Sequence, residues 1–154
     1  MLLVKIGISK NPMKLDLTTG DAITPRKIEY TYPCIFSAEA IKIMAYPLET
    51  ILAEKYETII RENITTTRMR DFYKLKKDEI DYEVLKEAVE RTSKKRGSQE
   101  IMKDYEEIIE DIKEDSYLRS LWEVYLSENK YIGDLTFDKV VDVVTIISNR
   151  INEM

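Results

Sequence analysis

The charged side chains of the first half of the chain have the types and spacing to handle phosphate and metal chemistry. Asp16 stands in an alternating stretch from Met13 to Thr18, with Lys14 and Thr18 on its own face of the strand. A carboxylate at a strand centre is disfavoured, so it is solvated, paired with a cation such as Lys14, or bound to a divalent metal. Glu54 and Lys55 follow in the middle of a helical pattern. They read either as charged surface or as an acid and a cation turned toward a cleft. Arg68-Met-Arg-Asp-Phe-Tyr73 then gathers Arg68, Arg70 and Asp71 within about one helical turn. Guanidinium and ammonium groups suit phosphate oxygens, and carboxylates suit the metal ions that accompany phosphate transfer.

Three further features are less specific. Gly20-Asp21 reads as a tight turn that needs glycine. The run Arg91, Lys94, Lys95, Arg96 carries no acid. It is either a helix end complementing its own dipole or a patch for a nucleic-acid backbone. Trp122, with Tyr117 and Tyr125, has core spacing, with base stacking as the other option.

The elements that must position these groups are strands first and helices after. Leu2 to Ser9 alternates, Asn11-Pro12 reads as a turn, and Met13 to Thr18 alternates again. Ile28, Tyr30 and Tyr32 give a third strand, and Ile41 to Met44 a short fourth. A sheet of three or four strands needs a cover, and the apolar helices at 47–62 and 136–152 are the candidates. From Tyr46 onward the pattern is helical. Pro47 opens the first helix, and Met69, Phe72 and Leu75 mark a short second one. Asp81 caps a third that Gly97 ends. Ser98 is expected to cap a fourth carrying Ile101, Met102, Tyr105 and Ile108. Leu118, Leu121 and Trp122 lie in a fifth, broken by Gly133, and Thr136 caps the last. The expected fold is α+β, with short N-terminal antiparallel or mixed strands followed by a bundle of about six helices. Residues 1–45 are expected to form the sheet part and 46–154 the helical part, packed as one compact unit.

Composition excludes several function classes. The chain has no histidine, which removes Ser–His triads, His-ligated zinc and histidine general bases. Its single cysteine forms no internal disulfide and fits a reducing compartment. No apolar run approaches the roughly 18 residues of a membrane span, and the first residues are too short and charged for a signal peptide. The expected location is the cytoplasm. The net charge of −5 argues against a chain that is basic throughout, yet 68–77 and 91–96 are basic and 104–115 acidic, so a bipolar surface follows.

The order Lys14-Leu-Asp16, Tyr46-Pro-x-Glu-x-x-x-Ala-Glu-Lys55, Arg68-Met-Arg-Asp-Phe-Tyr73 and Glu90-Arg-Thr-Ser-Lys-Lys-Arg-Gly97 resembles the AbiEii-type nucleotidyltransferase toxins of abortive-infection toxin–antitoxin systems. The resemblance runs from Met13 to the last helix. Lys74 stands where the family pattern ends in Asp. The resemblance implies a polymerase-β-like nucleotidyltransferase that moves a nucleotide from an NTP to RNA, such as tRNA, with Mg²⁺. It implies that Asp16 holds metal, that Lys14, Lys55, Arg68 and Arg70 meet phosphate, that Glu54 lines the cleft, and that Asp71 orients a neighbour. It also places Asp21 toward the site. In the family, a Gly-Ser helix motif and two more carboxylates precede the strand of Asp16. The chain is therefore expected to be a C-terminal portion, inert alone, with a separate N-terminal half and an antitoxin as partners. An open sheet edge predicts a homodimer. The rival reading is a non-enzymatic helical module that binds RNA or protein, or a remnant that titrates an antitoxin.

Overall fold

The computed structural model describes residues 2–6, 9–13, 19–35, 38–76 and 79–153. Lys14, Asp16 and Thr18 lie outside the described residues. The fold is α+β, as its alternating start and helical remainder require. Strands β1 (Leu2–Ile6) and β2 (Ser9–Met13) pair antiparallel, from Leu2 opposite Met13 to Ile6 opposite Ser9. Asn11 and Pro12 are therefore strand residues, not the expected turn. In a two-stranded ribbon each strand keeps one free edge, and proline is tolerated at an edge position.

Strands β3 (Ile28–Pro33) and β4 (Ala40–Ala45) form a second antiparallel hairpin, with Tyr30 opposite Ile43 and Tyr32 opposite Ile41. Among the described residues the two hairpins are separate sheets rather than one of three or four strands. The expected cover is also absent there. Ile28, Tyr30, Tyr32, Ile41 and Ile43 are exposed, and the helices proposed as cover pack on other helices.

Six α-helices follow among the described residues. In α1 (Leu48–Glu62), Pro47 supplies a fixed φ at the N-cap, and Leu52, Ala53, Tyr56, Ile59 and Ile60 form one buried stripe. A 3₁₀ turn (Asn63–Thr65) leads to α2 (Met69–Leu75), which buries Met69, Phe72 and Leu75. Helix α3 (Tyr82–Arg96) has local signals at both ends. The Asp81 carboxylate accepts from the Val84 N–H at 3.1 Å, and Gly97 closes the helix at φ 68°.

Ser98 does not cap the next helix. Its hydroxyl turns inward, and a 3₁₀ stretch (Ile101–Asp104) precedes α4 (Tyr105–Glu114). Asp115 caps α5 (Ser116–Glu128), accepting from the Leu118 N–H at 2.7 Å. A further 3₁₀ turn (Lys130–Ile132) and Gly133 precede Thr136, whose hydroxyl accepts from the Lys139 N–H in α6 (Phe137–Glu153).

The core is helical. Helix α1 packs on α2 and α3, and α6 packs on α2, α3 and α4. Tyr56 on α1 meets Ser148 on α6 through a buried hydroxyl pair at 2.8 Å, and burial pushes the Tyr56 phenol up to about 12, so it stays neutral. Trp122 is fully buried, with rings of Tyr125 and Phe137 beside it, and its indole N–H donates to the Leu135 carbonyl at 2.9 Å. Trp122→Phe should cost about 1–2 kcal/mol, because it leaves a buried carbonyl unpaired. Urea unfolding checks this, and an unchanged midpoint would remove the hydrogen bond from the account.

The segment entering β3 is tied down to this bundle. The Thr50 hydroxyl accepts from the Thr24 N–H at 2.8 Å and donates to the Thr24 carbonyl at 2.9 Å. Asp21 accepts from the Tyr46 hydroxyl at 2.8 Å and from the Lys95 ammonium at 2.7 Å. The segment is thus anchored to α1 and α3, and the candidate site lies among residues of α1, α2 and α5.

Candidate phosphate-binding site

A cleft of about 550 Å³ opens where α1, the start of α2 and the outer face of α5 meet. Lys55 comes from α1, Arg68 from the residue ahead of α2, and Arg70 and Asp71 from its first turn. Leu121, Val124, Tyr125 and Glu128 form the facing wall from α5.

These positions follow from local helix geometry. Phe72 and Leu75 face the core, which leaves Arg70 exposed at the cleft and Asp71 buried at its edge. The Lys55 ammonium donates to Asp71 at 2.8 Å, and both side chains are largely buried. Sixteen residues of chain separate the pair, so packing of α1 on α2 creates it. Asp71 fixes the direction of the ammonium and leaves its other protons for an oxygen ligand. Among the described residues Arg68 and Arg70 form no ion pair. Burial pushes the Tyr125 phenol up to about 12, so that part of the wall is uncharged at neutral pH.

A double-mutant cycle tests the fixed pair. Lys55→Met and Asp71→Asn each remove one partner, and the coupling energy should be about 1–2 kcal/mol. Chemical denaturation measures it. Two losses that simply add would show that the ions do not hold each other.

The other expected site residues fall elsewhere. Lys14 and Asp16 are outside the described residues. Glu54 is half-buried on α1 but does not line the cleft, and among the described residues its carboxylate makes no hydrogen bond. Asp21 is engaged by Tyr46 and Lys95. Most of the basic run at 91–96 is occupied. Arg91 pairs with Glu87 at 3.5 Å, Lys95 with Asp21, and Arg96 with Glu57.

Glu57 was not legible as a special residue. It is completely buried on α1, two residues beyond Lys55. Its carboxylate accepts from Arg61 at 3.0 Å, from the Ser98 hydroxyl at 2.7 Å and from Arg96 at 2.5 Å. Arg96 also donates to Thr58 at 3.1 Å. The network bolts the end of α3 and the following turn to α1. The only sequence signal is a glutamate within the apolar run Tyr56 to Ile60, four residues before an arginine.

A second cavity, about 610 Å³, lies between α3 and the C-terminal end of α6. Lys86, Arg91, Lys94 and Lys103 ring a floor that includes Val89, Met102 and Ile151. Two of those cations are already paired, Arg91 with Glu87 and Lys103 with Glu100 at 2.8 Å.

No group of three or more metal-ligating side chains occurs among the described residues.

The cleft thus holds an oriented lysine beside two arginines that have no ion pair among the described residues, a donor set of the kind that suits phosphate oxygens. Residues 2–143 match the model of the nucleotidyl transferase AbiEii toxin family of type IV toxin–antitoxin systems, and the chain belongs to that family. Comparison with curated proteins and with solved structures gives no match. Family membership gives the coarse function, a nucleotidyltransferase toxin, and the coarse partner, an antitoxin. No helix among the described residues is long and apolar enough to cross a membrane.

Proposed function

We propose that the chain serves transfer of a nucleotide from an NTP to RNA, with tRNA as the acceptor, in abortive-infection defence in the cytoplasm. The cleft holds the triphosphate. Arg68 and Arg70 present planar guanidinium forks to phosphate oxygens, and Lys55, aimed by Asp71, meets another. The single observation that carries this reading is the pair of arginines, without an ion pair among the described residues, beside the 2.8 Å Lys55–Asp71 contact in one concave cleft.

The remaining roles rest on the resemblance. Asp16 would hold Mg²⁺ with Lys14 beside it, and the metal would neutralise phosphate charge. Among the described residues the cleft offers only Asp71 and Glu128 as carboxylates, and Asp71 is committed to Lys55. The chain on its own is thus proposed to bind the nucleotide without completing transfer.

Calorimetric titration with ATP, GTP, CTP and UTP tests the reading. Saturable binding of one nucleotide per chain is expected, weakening as salt rises because exposed cations are screened. No binding of any of the four at millimolar concentration would overturn it.

A further inference from the structure

The two sides of the cleft differ chemically. Lys55, Arg68 and Arg70 line one side, and α5 supplies the other. Residues 121, 124, 125 and 128 are spaced i, i+3, i+4 and i+7, so they share one helix face. Val124 is 55% exposed, an open apolar surface beside Leu121 and the Tyr125 ring. Glu128 closes the row.

Glu128 is the last residue of α5, where the helix dipole disfavours negative charge. Among the described residues it has no cation partner. The fold gives no account of a carboxylate at that point. A phosphate ligand gives none either, since an anion is repelled by it. A ligand with anionic groups at one end and a flat ring bearing N–H donors at the other satisfies both walls.

We infer that the α5 wall is the nucleobase subsite, with the base lying on Leu121 and Val124 and its exocyclic amine donating to Glu128. This rests on the phosphate reading above. An ionised carboxylate only accepts hydrogen bonds. Adenine, cytosine and guanine each carry an amino group on the edge they present. Uracil offers one N–H flanked by two carbonyls, which oppose the carboxylate. The subsite therefore selects amino-bearing bases against uracil.

The test compares wild-type protein with Glu128→Gln, using tripolyphosphate and the four NTPs as probes. Glutamine keeps the size of the side chain but removes the charge and adds a donor. The residue is exposed, so the melting temperature should not change. ATP, CTP and GTP should bind wild type about tenfold more tightly than UTP, the scale of one good base-edge contact. Glu128→Gln should reduce that ratio to about twofold or less and leave tripolyphosphate binding no weaker. Equal binding of UTP by wild type, or a preference that survives the substitution, overturns the subsite while tripolyphosphate binding still upholds the phosphate reading. Failure of tripolyphosphate and every NTP to bind overturns both.

Discussion

Glu57→Ala should destabilise the protein by roughly 2–4 kcal/mol, somewhat less than the roughly 3–5 kcal/mol of a fully buried charge pair that is broken. The carboxylate is fully buried and is the shared acceptor for Arg61, Arg96 and Ser98. Removing it leaves the Ser98 hydroxyl unpaired in the interior and Arg96 without its anion, while Arg61 keeps only Glu62 at 3.2 Å. The arginines are a third or more exposed, at 40% for Arg61 and 33% for Arg96, so water recovers part of their loss. That is why the deepest end of the range is not expected. For a chain of this length the melting temperature should fall by about 5–15 °C. Glu57→Gln should lie between alanine and wild type, because it keeps one acceptor oxygen and loses the charge. Thermal unfolding followed by circular dichroism reads this directly. A loss below about 0.5 kcal/mol for alanine would mean that the junction of α1 and α3 stands on apolar packing alone.

The second large effect is on binding. Arg68→Ala with Arg70→Ala should weaken NTP binding roughly 30- to 150-fold, from two exposed charge-assisted contacts that together contribute about 2–3 kcal/mol. Neither arginine is in the core, and neither has an ion pair among the described residues, so stability should hardly move. Lysine at both positions should recover part of the affinity, since it restores charge without the bidentate fork. The salt dependence should flatten in the alanine protein, because the screened charges are gone. Unchanged affinity would put the phosphates elsewhere.

What the sequence made legible was local. The apolar stripe of α1, the Asp81 and Gly97 ends of α3, and the Thr136 cap of α6 each depend on residues within a few positions of one another. The alternation of β3 and β4 was equally local. Misread elements depended on distant partners. Ser98 has the chemistry of a helix cap, but Glu57, 41 residues away, takes its hydroxyl. Pro12 has the chemistry of a turn residue, but pairing with Leu3 makes it a strand residue. The helices read as sheet cover found better partners in one another, which leaves the apolar face of the β3–β4 hairpin exposed.

The site shows the same division. Lys55 came from one motif and Arg68, Arg70 and Asp71 from another, and the structure brings the two to one cleft. Their contact was not readable from spacing. Neither was the loss of Lys95 and Arg96 to internal ion pairs, since a run of cations looks alike whether its partners are phosphates or carboxylates. Glu128 drew no notice in the sequence because a glutamate at a helix end is ordinary until its surroundings are known.

The cleft of α1, α2 and α5 is proposed to hold the nucleotide. Photolabelling with 8-azido-ATP, followed by peptide mapping, tests it most directly. The reactive group sits on the base, so the label should fall on α5 between Leu121 and Glu128, with lesser labelling at 67–71, and excess tripolyphosphate should suppress it. Label concentrated instead on Lys86, Arg91 and Lys94, in the cavity between α3 and α6, would contradict the claim.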